Sequence, residues 1–525
     1  MTAVESFIDH KTNTEGQCGN YQIELPPLKD GEQYRFHFDA TKCIGCHCCE
    51  VACNEQNNNP ANIKWRRVGE VEGGEFPNTL QLFLSMSCNH CVEPACLIGC
   101  PTNSYIKLDN GIVFHEDEAC IGCQYCTWNC PYDVPTFHKE RHIVTKCHMC
   151  VDRLEANQTP ACVQACPEGA IEIEVVNVKK WVEEEMEKEG NAPCLIDAKY
   201  TKPTTRYTLP KDMPKNLEPM DKDLIKPAHG ELPLVVMTLL TQTSLIGFIA
   251  LLFGDLASHF TNLHSPDFLM AFTIFLLSAI GLPFSALHLG RPIKAMSAMK
   301  NLKTSWLSRE ALALGIFTAL LGVCALLYYL NIDGILRLLV EVVTAAVGVY
   351  GIYAQSMIYR VPAKPTWNRA STTYKFFLSG YTALLLLALI AVYEQKVEVA
   401  NILLAFSILL ASLHIYLFIE SIRFYESVKE DDEFYYQISR AKYLLENDFK
   451  KLFTFRKISL FLSGIILPLF AIVALNAKSL GFAFVFLLFA SVLGFASEFA
   501  GRLLFYSTAI KTGMPGNFFA GSQRG

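Results

Sequence analysis

Hydrophobic and polar positions follow two unlike patterns that meet near residue 230. Beyond it, apolar residues run almost unbroken over 232–256, 267–289, 309–330, 335–357, 376–393, 399–420, 458–476 and 480–506. Each run approaches the roughly 20 residues a helix needs to cross a bilayer, so the pattern predicts eight transmembrane helices. Before residue 230 the apolar positions come in short groups. TLQLFLSM (79–86), KLDNGIVF (107–114) with its Asp109–Asn110–Gly111 turn, and AIEIEVV (170–176) predict strands and turns. KKWVEEEMEKEG (179–190) predicts one charged helix with a solvated acidic face. Residues 200–230 hold Pro203, Pro210, Pro214, Pro219 and Pro227 among few apolar residues, which reads as a tether. The expected organisation is an extension over 1–34, a compact α+β domain over 35–200, a proline-rich linker over 201–230 and an all-α membrane anchor over 231–525.

Charge adds an orientation. The 525-residue chain carries a net charge of −6, with acidic groups concentrated in the front region and an excess of basic ones behind it. A front without a basic stripe excludes nucleic acid as a partner. MTAVESFIDH shows neither a secretory nor a twin-arginine signal. Of the 23 Lys and Arg after residue 230, twenty fall in linker-side loops or the C-terminal tail, against Arg337, Lys396 and Lys478 on the other side. The positive-inside rule then predicts an inner (cytoplasmic) membrane protein, surrounded by lipid, with its front domain in the cytoplasm.

Cysteine spacing points to the chemistry. Of 20 cysteines, only Cys324 lies beyond residue 194. Cys43, Cys46, Cys49 and Cys53 form C-x2-C-x2-C-x3-C, and Cys120, Cys123, Cys126 and Cys130 repeat it before Pro131. Cys88, Cys91, Cys96 and Cys100 form C-x2-C-x4-C-x3-C before Pro101, and Cys147, Cys150, Cys162 and Cys166 widen the central gap before Pro167. A C-x2-C loop wraps one corner of an iron–sulfur cube, and the fourth cysteine of such a run reaches the other cluster of a pair. Zinc sites have no use for a three-cysteine run with a distant fourth, and disulfides suit a secreted chain. The quartets therefore predict four [4Fe–4S] clusters in two ferredoxin-like pairs. Which quartets pair stays open at this point. Cys18, Cys48 and Cys194 lie outside the pattern.

Ionisable groups within or beside membrane spans are costly and mark function. His288 closes the second expected span and Glu310 opens the third, both near the linker-side rim. Together they suit proton exchange with the carbonyls of a quinone. Glu341, Glu420 and Glu498 are weaker candidates, with Arg502 placed to neutralise Glu498 at i,i+4. A haem would need facing histidines, for which His288 and His414 are the one conceivable pair.

The motifs CIGCHCCEVAC, CNHCVEPACLIGCP, CIGCQYCTWNCP, KCHMC and CVQACP resemble the four-cluster subunit of the dimethyl sulfoxide reductase family. HLGRP (288–292), SWLSRE (305–310) and EFAGRLLFY (498–506) resemble that family's membrane anchor. The resemblance implies a fusion of two subunits. It pairs the first quartet with the fourth and the second with the third, so that Cys166 joins Cys43, Cys46 and Cys49, and Cys53 joins Cys147, Cys150 and Cys162. Cys130 then joins Cys88, Cys91 and Cys96, and Cys100 joins Cys120, Cys123 and Cys126. It further implies a quinone or quinol site, for menaquinone or ubiquinone, at His288, Gly290, Arg291 and Glu310. A separate molybdopterin-containing subunit would act on dimethyl sulfoxide or sulfite, the cytoplasmic placement resembling the sulfite-oxidising branch. An ion-translocating module driven by the clusters, or a polysulfide or other reductase subunit, are the alternatives.

Overall fold

The computed structural model describes residues 27–223, 227–261 and 266–514. They fall into two compact units, Met1–Lys226 with Thr512–Gly525, and Pro227–Lys511.

The first unit is a set of small sheets. β1 (Glu32–Asp39) is followed by the hairpin β2 (Arg67–Glu75) and β3 (Asn78–Met86), then by two short hairpins, β4 (Tyr105–Lys107) with β5 (Val113–His115) and β6 (Thr136–His138) with β7 (Ile143–Thr145). β8 (Ile171–Asn177) pairs antiparallel with β1, with Phe36 opposite Ile173 and Phe38 opposite Ile171. Alternation turns Phe36 and Phe38 into the interior. Residues 178–189 form the expected charged helix, pinned by the fully buried Trp181. Two-stranded hairpins such as β4–β5 and β6–β7 are marginal on their own. Here the interior is completed by thiols, with Cys96, Cys100, Cys120 and Cys126 packed among Tyr105, Val113, Ile143 and Val144.

The expected linker departs from this. β9 (Arg206–Thr208) runs parallel to β1, and β10 (Glu218–Pro219) pairs with the edge of β2. The Trp181 indole donates to the Pro203 carbonyl at 2.9 Å, and the Thr204 N–H donates to the Asn89 carbonyl at 3.1 Å. The segment is held by backbone and hydroxyl hydrogen bonds, which hydropathy does not register, and Pro219 is tolerated because its strand lies at an edge. Two further boundaries move. β1 starts at Glu32, inside the expected extension, whose residues 1–26 lie outside the described residues. Thr512 donates to the Pro131 carbonyl at 2.8 Å, so the chain from Thr512 belongs with the first unit and not with the anchor.

Among the described residues, the second unit contains eight helices long and apolar enough to cross a membrane: α1 (Leu232–Phe260), α2 (Phe268–Leu287), α3 (Trp306–Tyr329), α4 (Ile335–Tyr359), α5 (Ala370–Tyr393), α6 (Val397–Ser427), α7 (Lys450–Asn476) and α8 (Leu480–Ser507). α5 and α7 begin earlier than their apolar runs because their first turns carry polar residues inward, as with the buried Arg456. α1–α4 pack as one four-helix group and α5–α8 as another, with α1 against α5 and α8. A Cβ on Gly380 would lie 2.2 Å from Ile246 Cγ1, so glycine is what lets α1 and α5 approach. The Ala228 N–H donates to the Ser507 carbonyl at 2.9 Å, which returns the end of α8 to the start of α1.

Candidate functional site

The first C-x2-C loop of each quartet uses the same turn. Its third position is left-handed, at Gly45 (φ 69°), His90 (φ 41°), Gly122 (φ 68°) and Met149 (φ 59°). The turn aims backbone N–H groups at sulfur, with Gly122 donating to Cys120 and Met149 to Cys147, both at 3.4 Å. Glycine is required at 45, where a Cβ would meet the Phe83 ring at 2.6 Å.

Three hollows result, each walled by four cysteines. One of about 360 Å³ is lined by Cys88, Cys91, Cys96 and Cys130. A second of about 320 Å³ is lined by Cys43, Cys46, Cys49 and Cys166. A third of about 250 Å³ is lined by Cys53, Cys147, Cys150 and Cys162. In each, three cysteines come from one sequence quartet and the fourth from another. Cys123 and Cys126 each have both Cys100 and Cys120 as electrostatic neighbours. No disulfide joins any two of the described cysteines. Burial, with neighbouring thiols adding to it, pushes the Cys123 and Cys150 thiols up to about 12. Burial raises all four thiols of Cys88, Cys91, Cys96 and Cys130, and thiols that resist ionising together fit a cationic iron–sulfur core, which would supply the compensating charge.

The remaining cysteines take no part in these walls. Cys18 lies outside the described residues, Cys48 is exposed, and the Cys194 thiol points at the Leu217 carbonyl, 3.6 Å away. Cys46 is also exposed and sits between the protruding Ile44 and Val51, which are 58% and 57% exposed.

In the second unit His288 meets a carboxylate that sequence reading overlooked. Its Nδ1 lies 2.8 Å from Glu231 at the start of α1. Burial pushes the Glu231 carboxyl up, but the hydrogen bond and charge of His288 outweigh it and hold the group below its ordinary value. Glu310 is buried, with Gln355 as its hydrogen-bonding neighbour. Gln355 accepts from Gln242 at 2.6 Å, and Gln242 accepts in turn from Ser379 and Arg502. The Tyr359 and Tyr506 hydroxyls meet at 2.5 Å, and Tyr506 has both Glu231 and Glu310 as electrostatic neighbours. The two carboxylates therefore share one polar layer. Gly290 and Arg291 follow His288 into the short helix Pro292–Met299, where Ile293 and Met296 are exposed. Glu231 has no sequence signature beyond standing just before an apolar run.

Other candidates are accounted for structurally. Glu498 is held by Arg456 at 2.9 Å, whereas Arg502 reaches Gln242, so the expected i,i+4 neutralisation is not what pairs Glu498. His414 lies beside Arg456 and Glu498, so it and His288 have different partners. Glu420 pairs with Arg369. Glu341 lies beside Arg337, which pairs with Asp255 at 2.5 Å. Leu245, Phe248, Leu314 and Phe317, all essentially inaccessible, fill α1 and α3 between Gln242 and Asp255 and between Glu310 and Tyr328.

A cysteine-walled ferredoxin-like domain followed by eight apolar spans defines a multi-pass membrane protein that transfers electrons through iron–sulfur groups. The profile of the DMSO reductase anchor subunit (DmsC) family matches residues 226–508, and that of the 4Fe-4S dicluster domain matches 79–176. The protein belongs to the DMSO reductase anchor subunit family, with an electron-transfer iron–sulfur subunit fused ahead of the anchor. It is 39% identical over 150 residues to a component of the anaerobic dimethyl sulfoxide reductase of Haemophilus influenzae, covering 27% of this chain and 73% of that one. It is 35% identical over 182 residues to YnfG, a probable anaerobic dimethyl sulfoxide reductase component of Escherichia coli, covering 33% and 86%. To a component of the sulfite dehydrogenase of Allochromatium vinosum it is 37% identical over 154 residues, covering 25% and 64%.

Proposed function

We propose that this chain passes electrons between membrane quinone or quinol and a separate molybdopterin-containing subunit acting on a sulfur oxo-compound, dimethyl sulfoxide or sulfite. It carries four [4Fe–4S] clusters, held by Cys43, Cys46, Cys49 and Cys166; by Cys53, Cys147, Cys150 and Cys162; by Cys88, Cys91, Cys96 and Cys130; and by Cys100, Cys120, Cys123 and Cys126. The observation that carries the reading is the mixed parentage of the cysteine-lined hollows, three thiols from one quartet and one from another. When bound, each cluster supplies a site that takes up and releases one electron. The chain's part is to hold the clusters in a row and keep water from them. Cys88 and Cys147 are electrostatic neighbours, which supports the second and fourth quartets meeting within that row. The exposed edge formed by Ile44, Cys46 and Val51 is where the catalytic subunit docks.

Quinone exchanges protons at the polar layer of the anchor. Glu231 orients the His288 imidazole and stabilises its protonated form, while Glu310 holds or gives up a proton among amides. Gly290 and Arg291 lie on the approach, whose exposed Leu287, Ile293 and Met296 face lipid. The basic loops favour the cytoplasmic face of the inner membrane for this rim and for the cluster domain. Ion translocation is not favoured, because the essentially inaccessible Leu245, Phe248, Leu314 and Phe317 lie between the polar layer and Asp255.

The test is to mix membranes with a quinol analogue and follow cluster reduction. His288→Ala and Glu310→Gln are each expected to slow it by about 10²-fold, the worth of a positioned acid or base, with about sixteen iron atoms per chain retained, four per cube. Wild-type rates in both variants would move the site elsewhere.

A further inference from the structure

Resting on the four-cluster reading, we propose that Arg66 is a redox-tuning residue, a buried permanent cation that raises the reduction potentials of the two clusters between which it lies. Those are the clusters of Cys43, Cys46, Cys49 and Cys166 and of Cys53, Cys147, Cys150 and Cys162.

The geometry places Arg66 against both. It is 2% exposed and forms part of the wall of the hollow containing Cys53, Cys147, Cys150 and Cys162. Its guanidinium donates to the Ser85 carbonyl and hydroxyl, both at 3.2 Å, and to the Ser87 hydroxyl at 2.9 Å. Ser85 walls the other hollow, with its hydroxyl 3.2 Å from the Cys49 sulfur. The guanidinium also lies over the Phe36 ring, 4.7 Å from its centroid.

These partners are all neutral, and among the described residues no carboxylate pairs with Arg66. A buried charge without a counter-charge is prohibitively costly. The strongest electrostatic neighbours of Arg66 are the sulfurs of Cys162, Cys49, Cys147 and Cys53, which belong to both quartets. The compensation is therefore mutual: the thiolate-ligated clusters neutralise Arg66, and Arg66 neutralises them.

The redox consequence follows from charge. Reduction adds one electron to a cluster, with no bond made or broken. A fixed positive charge nearby in a low-dielectric interior stabilises the added negative charge. A guanidinium keeps its charge at any working pH. Lys146 occupies the corresponding place at the next junction. It is 3% exposed, with Nζ 3.6 Å from the Cys88 sulfur and 2.8 Å from the Cys147 carbonyl. Two successive steps of the row thus carry a buried cation.

The experiment is an EPR-monitored redox titration of the full chain in membranes, with iron analysis, for wild type, Arg66→Gln and Arg66→Lys. Arg66→Gln should keep its iron while two clusters become at least tenfold harder to reduce, a shift of about 59 mV or more to negative potential for one electron. Arg66→Lys, which keeps the charge, should shift them by less than half as much, and the cluster of Cys100, Cys120, Cys123 and Cys126 should not move. Unchanged midpoints in a fully loaded Arg66→Gln protein would overturn the proposal. So would equal shifts in both variants, or equal loss of iron from both, since either result makes the role of Arg66 one of shape. Fewer than four clusters in the wild type would instead defeat the four-cluster reading beneath it.

Discussion

The two regions of this protein bury opposite things. The cluster domain encloses thiols behind sheets of two or three strands, and much of its interior consists of cysteines such as Cys96, Cys126 and Cys162. The anchor turns Phe253, Leu339, Phe482 and Val492 outward and keeps Gln242, Gln355, Asp255 and Glu498 inside. The first would lose most of its core with its iron, since metal binding and folding are coupled in such domains. The second gains nothing from gathering Leu together, because lipid tails are equally apolar. Its helices are specified by close approach at glycine and by polar pairs.

The largest effect that would sharpen this contrast is removal of iron. Anaerobic chelation should cost the cluster domain its folded state, on the order of the 5–15 kcal/mol that holds a small domain together, while helical circular dichroism from the anchor persists. Limited proteolysis reads both at once. A cluster domain that still resists protease without iron would break the comparison.

The next effect runs the other way. Asp255→Ala leaves the Arg337 guanidinium, 6% exposed, short of its buried partner. It should destabilise the anchor by about 3 kcal/mol, seen as a lower thermal transition in detergent, with all cluster signals intact. Loss of cluster signals alongside it would mean the regions do not stand apart energetically.

The smallest effect lies on the cluster-domain surface. Burial pushes the Glu174 carboxyl up, but His37, Arg35 and Arg206 together hold it down to about 2. The hydrogen bond and charge of Glu174 raise His37 above its ordinary 6.5 despite burial. Glu174 is ionised throughout the working range. The His37 contribution is fully present below 6.5 and is lost as pH rises through the raised value. Glu174→Gln should therefore cost about 1–2 kcal/mol, discounted for partial exposure, and more at pH 6 than at pH 8.5. A thermal-shift difference that grows with pH would contradict this sign.

Much of the architecture was legible because it is written locally. A span needs a contiguous apolar run, and runs of spanning length such as 480–506 became helices such as α8 with little change. A C-x2-C loop needs only its spacing and a residue that accepts a left-handed turn, as Gly45 and Gly122 do. The proline-rich segment misled because its attachments, such as the Pro203 carbonyl to Trp181, are made by backbone groups that leave no hydropathy signal.

Spacing and hydropathy along the chain are enough to find sixteen quartet cysteines, eight spans and the two rim residues His288 and Glu310. Tertiary structure alone decided that His288 meets Glu231, that Arg502 serves Gln242 while Arg456 holds Glu498, and that Arg66 stands between two thiol-lined hollows. The physical reason is distance along the chain. Spacing and periodicity record contacts within a few turns, whereas Glu231 and His288, or Arg66 and Cys162, are brought together only when whole elements pack.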